Sequence, residues 1–156
     1  MKITLLVVGK TTDIHIDSLI QEYLKRLTHY VPFALQVIPD MKNTKALTSE
    51  QQKQAEGELI LRAISPSTKM ILLDEHGKEF RSIEYAEYVQ KAMLSGQDIV
   101  FVVGGPYGFS DAVYQRANGK ISLSKMTFSH QMVRLFFVEQ TYRAMTILRG
   151  EPYHHE

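Results

Sequence analysis

Cysteine is absent from this chain, so neither disulfides nor thiolate metal sites are available, which fits a reducing, cytoplasmic setting. Charge of one sign is also missing in excess. Lysine and arginine number 18 against 17 aspartates and glutamates, leaving a net charge of +1. A global attraction to nucleic acid is therefore excluded, and any basic surface must be local. No apolar run approaches the length of a membrane span. Lys2 followed by Ile3 to Val8 resembles the opening of a secretion signal, but the run is short and no small-residue cleavage site follows. Six histidines are present, yet none stands in H-E-x-x-H or another ligand spacing, and the adjacent His154 and His155 chelate one ion poorly, so no metal is expected. Also missing are a G-x-S-x-G elbow, a G-x-G-x-x-G turn after the first apolar run, internal repeats and any linker.

What is there suits one domain spanning residues 1–156, with 44% hydrophobic and 22% charged residues. Ile3 to Val8 reads as a strand buried on both faces. Gly9-Lys10-Thr11 matches the tail of a phosphate loop, but Thr4 stands where that motif needs its first glycine. A helix over Asp13 to Tyr30, with Leu19, Ile20, Tyr23, Leu24 and Leu27 on its apolar stripe, ends before Pro32. Phe33 to Ile38 is a less buried strand. Asp40 to Leu47, with Met41, Lys42, Asn43 and Lys45, is a polar loop, read either as a solvated connection or as a basic contact for a polyanion. Thr48 and Gln51 have capping-box spacing and open a helix to about Ile64, with Ala55, Leu59 and Ala63 on its inner line. Lys69 to Leu73 is a strand running into Asp74-Glu75-His76-Gly77. Arg81 to Ser95 is a helix with Ala86, Val89 and Met93 inward.

The densest stretch is Ile99 to Phe128. A buried strand, Ile99 to Val103, stops at Gly104-Gly105, followed by Pro106, Tyr107 and Gly108. Such a loop is backbone made for close approach. Ser110 caps a short helix through Ala117, and Ile121 to Leu123 forms another strand ending in Ser124-Lys125-Met126-Thr127-Phe128. The last helix, His130 to Arg149, is apolar on two opposite sides. Val133, Phe136, Phe137, Ala144, Ile147 and Leu148 share one side; Met132, Leu135, Val138, Tyr142 and Met145 share the other. One side is expected to pack on its own sheet and the other on a second subunit. Arg134 and Arg143 are expected on its polar flanks. The alternation of elements gives the α/β class with a mainly parallel sheet and helices on both faces. Three strand ends, after Leu73, Gly104 and Leu123, carry exposed backbone flanked by apolar side chains. That combination suits a flat, partly apolar ligand such as adenine.

These motifs together resemble a known family. G-G-P-x-G after an apolar strand, L-S-x-M-T-F before a histidine, V-R-x-x-x-x-E-Q-x-Y-R-A along the last helix and a final P-Y-H are similar to the large-subunit ribosomal RNA methyltransferase H family. That family belongs to the SPOUT superfamily of S-adenosylmethionine (SAM) methyltransferases. The resemblance covers essentially the whole chain. It implies a C-terminal trefoil knot and a homodimer. It also implies methylation of N3 of a pseudouridine in the helix 69 loop of 23S rRNA within the assembled 70S ribosome. The family's cofactor loops fall on Leu73, on Gly104, Gly105 and Gly108, and on Leu123, Ser124, Lys125, Met126, Thr127 and Phe128. Its tail falls on Tyr153 and His154; the next position, usually basic, is His155 here.

A division of labour is expected on this basis. The loops hold SAM, while Arg143, Tyr153 and His154 meet the nucleotide, with His154 as base or hydrogen-bond partner for the N3 proton. Arg143 is placed either on the ring oxygens or in an i, i+4 ion pair with Glu139. The competing class is a non-catalytic SAM- or nucleotide-binding factor of the ribosome, against which the intact tail and glycine loop count. An enzyme of flavodoxin type would need a phosphate site after the first strand, where only Gly9-Lys10-Thr11 is offered.

Overall fold

The computed structural model describes residues 1–42 and 44–156; Asn43, in the expected polar loop, lies outside the described residues. Five strands form one sheet in the order β2-β1-β4-β3-β5. They are β1 (Ile3–Val8), β2 (Phe33–Ile38), β3 (Lys69–Glu79), β4 (Ile99–Val103) and β5 (Gly119–Ser122). Every pairing is parallel. The α/β class with helices on both faces is thus what the alternation of elements predicts. The period of two sorts the strand residues. Leu5, Val7, Phe101 and Val103 face a core shared with α1 (Ile14–Leu27), α3 (Ser82–Ser95) and α5 (Met132–Leu148). Leu6, Val8, Val100 and Val102 face a smaller core closed by α2 (Ser49–Arg62) and α4 (Asp111–Arg116). All of β4 is buried, as a central parallel strand should be.

Local chemistry sets the helix starts. Asp13 accepts from the amides of His15 and Ile16 at 2.8 and 3.1 Å and so caps α1 from outside. The expected capping box at α2 is formed: Gln51 N donates to Thr48 Oγ1 and Thr48 N to Gln51 Oε1. Ser110 caps α4.

Four expectations are corrected. First, β3 continues past Leu73 to Glu79, because Ile121 pairs with Leu73 and again with Lys78, so that 74–77 bulges out of the ladder. Gly77 is required there: a Cβ would lie 2.5 Å from the backbone of Ile121. Second, the buried line of α2 is Glu56, Gly57 and Ile60, about one residue round the helix from the predicted one. Leu59 and Ala63 only flank the core. Third, the second apolar side of α5 is covered within the same chain. Tyr142 packs its ring 5.7 Å from both Tyr23 and Tyr30, and Val138 and Met145 join Leu27 in the core. The two-sided pattern therefore carries no argument for a second subunit. On the opposite side Phe137 meets Phe101 at 4.8 Å, while Phe136 stays 39% exposed.

Fourth, Arg134 is no flank residue; it is 1% exposed. Its Nη1 donates to the Gly9 carbonyl at 2.8 Å, Nη2 to the Val8 carbonyl at 2.9 Å and Nε to the His130 carbonyl at 2.9 Å. Burial pulls its pKa below the ordinary arginine value and Asp40 opposes that pull. Five fixed N–H donors let a guanidinium satisfy several carbonyls that a lysine could not reach together. Replacing Arg134 by alanine should lower the unfolding free energy by about 3 kcal/mol, since the buried carbonyls of Val8 and Gly9 and the part-buried one of His130 lose a charged donor. Arg134→Lys should recover only part of it. Urea unfolding monitored by circular dichroism checks both, and an R134A variant as stable as the parent would contradict this account.

Candidate functional site

The strand ends position the site. β3 and β4 are neighbours, but β3 leads to α3 on one face and β4 leads to α4 on the other. Their loops diverge and leave a crevice at the C-terminal edge, where open α/β sheets take ligands. A cleft of about 570 Å³ opens there, within the size range of small-molecule sites. Of the ten residues expected to hold a cofactor, nine line it: Leu73, Gly104, Gly105, Gly108, Leu123, Ser124, Met126, Thr127 and Phe128. Lys125 does not. Its side chain is 86% exposed and its ammonium lies 3.7 Å from Glu79.

The loops are shaped by their own hydrogen bonds. Gly108 N donates to the Gly105 carbonyl at 3.1 Å and closes the glycine turn. Ser122 Oγ donates to the Ser124 carbonyl at 2.7 Å, and Met126 N to Ser124 Oγ at 2.9 Å. Two acids on the β3 bulge tie the loops together. Tyr114 on α4 donates its hydroxyl to Asp74, and Thr127 Oγ1 lies 3.5 Å from Glu75 Oε2. Burial, reinforced by the Asp74 carboxylate, pushes the Tyr114 phenol up to about 12. The ring of Tyr114 stands edge-on to Phe109. The cleft is thus apolar along Leu73, Val103, Leu123 and Phe128, and anionic on one rim at Asp74 and Glu75.

The strand end after Leu73 was expected at the site, and its Asp74, Glu75 and His76 line the cleft, although no role was expected of their side chains. Sequence reasoning missed Tyr114, Ser129 and His130 as lining residues. Tyr114 gave no signal, because its place depends on how α4 sits against the bulge.

A second constellation sits where α5 meets the tail. Glu139 Oε1 accepts from Arg143 Nη2 at 2.6 Å and from the Tyr153 hydroxyl at 2.9 Å. Arg143 Nη1 lies 3.2 Å from His154 Nδ1, and its guanidinium stacks 4.8 Å from the Tyr153 ring centre. Tyr153 also meets Tyr23 hydroxyl to hydroxyl at 3.1 Å; burial, helped by Tyr23 and Glu139, raises its pKa. Tyr30 donates to Glu151 at 2.8 Å and Arg81 to Glu156 at 2.9 Å, so the tail is docked on the domain. The Glu139 ion pair expected as one alternative for Arg143 is formed, and Arg143 keeps donors beyond it.

The hydrogen atoms follow from the chemistry. Arginine only donates, so this contact makes His154 Nδ1 the acceptor and puts the ring N–H on Nε2, 3.8 Å from Glu156 Oε1. Neither His154 Nε2 nor Arg143 Nε has a hydrogen-bond partner among the described residues, and both atoms are buried. The site therefore holds two donors in reserve, an arrangement suited to planar carbonyl oxygens.

The two constellations share no lining residue. Between them lies a smaller cavity of about 260 Å³ that includes Ser122, Leu123 and Phe128 from the cleft side and Phe136 and Gln140 from α5. Gln140 donates to Glu139 at 3.1 Å. One chain thus sets the loops and the tail on two sides of the 122–128 segment.

Comparison with known proteins adds to the geometry. A family model described as "Predicted SPOUT methyltransferase" matches residues 1–154. A protein of Bacteroides thetaiotaomicron named Ribosomal RNA large subunit methyltransferase H is 59% identical over 157 residues, covering 100% of this chain and 100% of that one. Its namesakes from Parabacteroides distasonis and Flavobacterium johnsoniae are 60% and 57% identical with the same coverage.

The Asp74–Tyr114 bond is directly testable. In Asp74→Asn the Tyr114 phenol should titrate below about 12 while staying above the ordinary tyrosine value of about 10, because burial, the larger cause, remains. Ultraviolet titration of the D74N protein against the parent, with Tyr114→Phe identifying the signal, measures this. An unmoved Tyr114 transition would show that the carboxylate has no hold on it.

Proposed function

Because the chain belongs to the SPOUT methyltransferase family, we propose that it transfers a methyl group from SAM to N3 of a pseudouridine in 23S rRNA. The target is in the helix 69 loop of the assembled 70S ribosome, and the chain works there as a homodimer in the cytoplasm. The observation that carries this reading is the convergence of three backbone loops, from β3, β4 and β5, on one cleft. A binding factor and an enzyme would both need that cleft. The reserved donors of the tail, His154 and Arg143, favour the enzyme.

The residues present fit SAM. Leu73, Val103, Leu123 and Phe128 offer an apolar surface for adenine, the glycine turn lets the backbone approach closely, and Asp74 and Glu75 suit the cationic ammonium and sulfonium. When bound, SAM supplies an electrophilic methyl group, so the protein's contribution is positioning and charge. The pseudouridine N3 lies between two ring carbonyls and carries an imide proton that must leave. Arg143 Nε and His154 Nε2, as donors, stabilise the negative charge that spreads onto those oxygens and so make N3 a nucleophile. His154 is then a hydrogen-bond partner rather than the base, and the proton goes to solvent. Tyr153 and Glu139 hold Arg143 in place for this role. The family's C-terminal knot is taken as the frame for the three loops. The homodimer accounts for a cleft and a tail that do not meet within one chain: the tail of each subunit serves the cleft of the other. A net charge of +1 gives one subunit a poor grip on RNA, which a paired surface and recognition of ribosomal shape would improve.

Mass spectrometry of 23S rRNA from cells lacking the protein should show loss of one methyl group at a pseudouridine in helix 69; an unchanged modification pattern rejects the substrate. Purified protein should bind SAM and methylate 70S ribosomes but not naked RNA. His154→Ala should slow turnover on the order of a hundredfold with SAM affinity intact. Glutamine can place an amide N–H near the Nε2 position, so His154→Gln should retain most of the rate. Equal loss in both variants would mean that His154 acts as the base.

A further inference from the structure

One buried acid is used by nothing described so far. Glu56 on α2 is 5% exposed, and its Oε1 has no hydrogen-bond partner among the described residues. Its Oε2 has only Gln52 Nε2 at a long 3.4 Å, and no lysine, arginine or histidine pairs with it among the described residues. A carboxyl group so placed costs stability and needs a reason.

The reason lies in what it touches. A Cβ added to Gly105 would meet three atoms first, and all three are the Glu56 carboxyl group: Oε1 at 2.3 Å, Oε2 at 2.8 Å and Cδ at 2.9 Å. The carboxyl therefore stands against the α-carbon of a glycine that lines the cleft. Gly105 is not among the residues with positive φ, so the backbone there would accept a side chain; what a methyl would displace is the Glu56 carboxyl group. The next residue of α2 does the same at the other end of the loop. A Cβ on Gly57 would lie 2.4 Å from Ser110 Oγ, the hydroxyl that caps α4. Two successive positions of one helix thus bear on both ends of the turn that runs from Gly105 to Ser110.

We propose that Glu56 is a positioning residue of the cofactor cleft: its carboxyl group, seated beneath Gly105 while Gly57 seats Ser110, holds the Gly104–Gly108 turn in the shape that receives SAM. This rests on reading the cleft as a SAM site. It assigns α2, which contributes no lining residue to the cleft, a direct part in cofactor affinity. Shape and not charge is the operative property, since no cation answers the carboxylate. Glutamine, with the same outline, should therefore serve.

The test reads the turn itself. The Gly108 amide, bonded to the Gly105 carbonyl, reports closure of the turn by hydrogen exchange in cofactor-free protein. In Glu56→Ala that amide should exchange about tenfold faster or more, while strand amides of β1 and β4 keep their rates. SAM affinity by calorimetry should weaken about tenfold, with the kcat of saturated enzyme changed far less. Glu56→Gln should match the parent in both. An E56A variant with parental Gly108 exchange overturns the proposal. Should E56A fold poorly, the reciprocal pair decides. Gly105→Ala, which drives a methyl into the carboxyl, should lower Tm and SAM affinity, and G105A combined with E56A should regain part of both. A double variant no better than G105A also overturns it. If the unaltered protein fails to bind SAM, the methyltransferase reading falls and takes the cofactor clause with it. A parent that binds SAM beside an E56A variant that binds it equally well overturns this inference alone.

Discussion

A single guanidinium joins the two ends of the chain. Arg134, in the first turn of the last helix, reaches the carbonyls of Val8 and Gly9 where the first strand ends, and it holds the His130 carbonyl at the lip of the cleft. The bonds to Val8 and Gly9 are buried and the one to His130 partly so, and carbonyls so placed need a donor. Supplying all three from one rigid fork fixes α5 against β1 in angle as well as distance. The tail that follows α5, and the 122–128 loop that precedes it, take their places from that anchor. Burying a charge is expensive, but carbonyl dipoles from three directions repay it more evenly than one carboxylate would. Asp40 adds a favourable charge without forming a direct pair.

The cleft itself follows from connectivity. Adjacent parallel strands whose helices leave on the same face close over one another, whereas β3 and β4 send theirs to opposite faces and leave a gap. The bulge at 74–77 deepens that gap by carrying Asp74 and Glu75 out of the ladder toward α4 and the 123–128 loop. Gly77 makes the bulge possible by letting the backbone run against Ile121. Backbone and acidic side chains therefore come from one irregularity in one strand. The same irregularity explains why the strand is longer than its apolar run.

What could be read from the sequence was whatever depends on near neighbours. The bounds of β1, β2 and β4 match their apolar runs because Gly9, Pro39 and Gly104 end them chemically. The capping box at Thr48 and the cap at Ser110 are local hydrogen bonds and were equally legible. Nine of ten expected cofactor residues reach the cleft because loops at strand ends must lie at one edge. Long-range contacts were not legible. A lone arginine in an amphipathic helix reads as a surface charge, and only the approach of β1, more than a hundred residues away in the chain, buries Arg134. The inner face of α2 was misjudged because its most buried positions are a glutamate and a glycine, which no hydrophobic pattern selects. The cover over Tyr142 came from Tyr23 and Tyr30, aromatic residues whose partner could not be named before the helices were paired.

The polar atoms that remain unpaired point the same way. Among the described residues only three buried side-chain atoms lack a hydrogen-bond partner: Glu56 Oε1, Arg143 Nε and His154 Nε2. Leaving such groups unmet costs about 1–3 kcal/mol each, so a fold selected for stability alone would not keep them. They do not scatter through the core. One lies against Gly105 of the cleft, and two belong to the tail cluster that is read as meeting the nucleotide. The buried hydroxyls of Thr141 and Tyr85 are satisfied: Thr141 donates to the Phe137 carbonyl and accepts from Tyr85. The described interior polar groups are otherwise paired, so unmet groups concentrated beside the cleft and in the tail are what the proposed function would ask for. Two donors without a hydrogen-bond partner in the free chain, one of them 3.8 Å from Glu156, are what a site needs if its acceptors arrive with the substrate. One acid wedged under a glycine is what a turn needs if its shape must exist before the cofactor does.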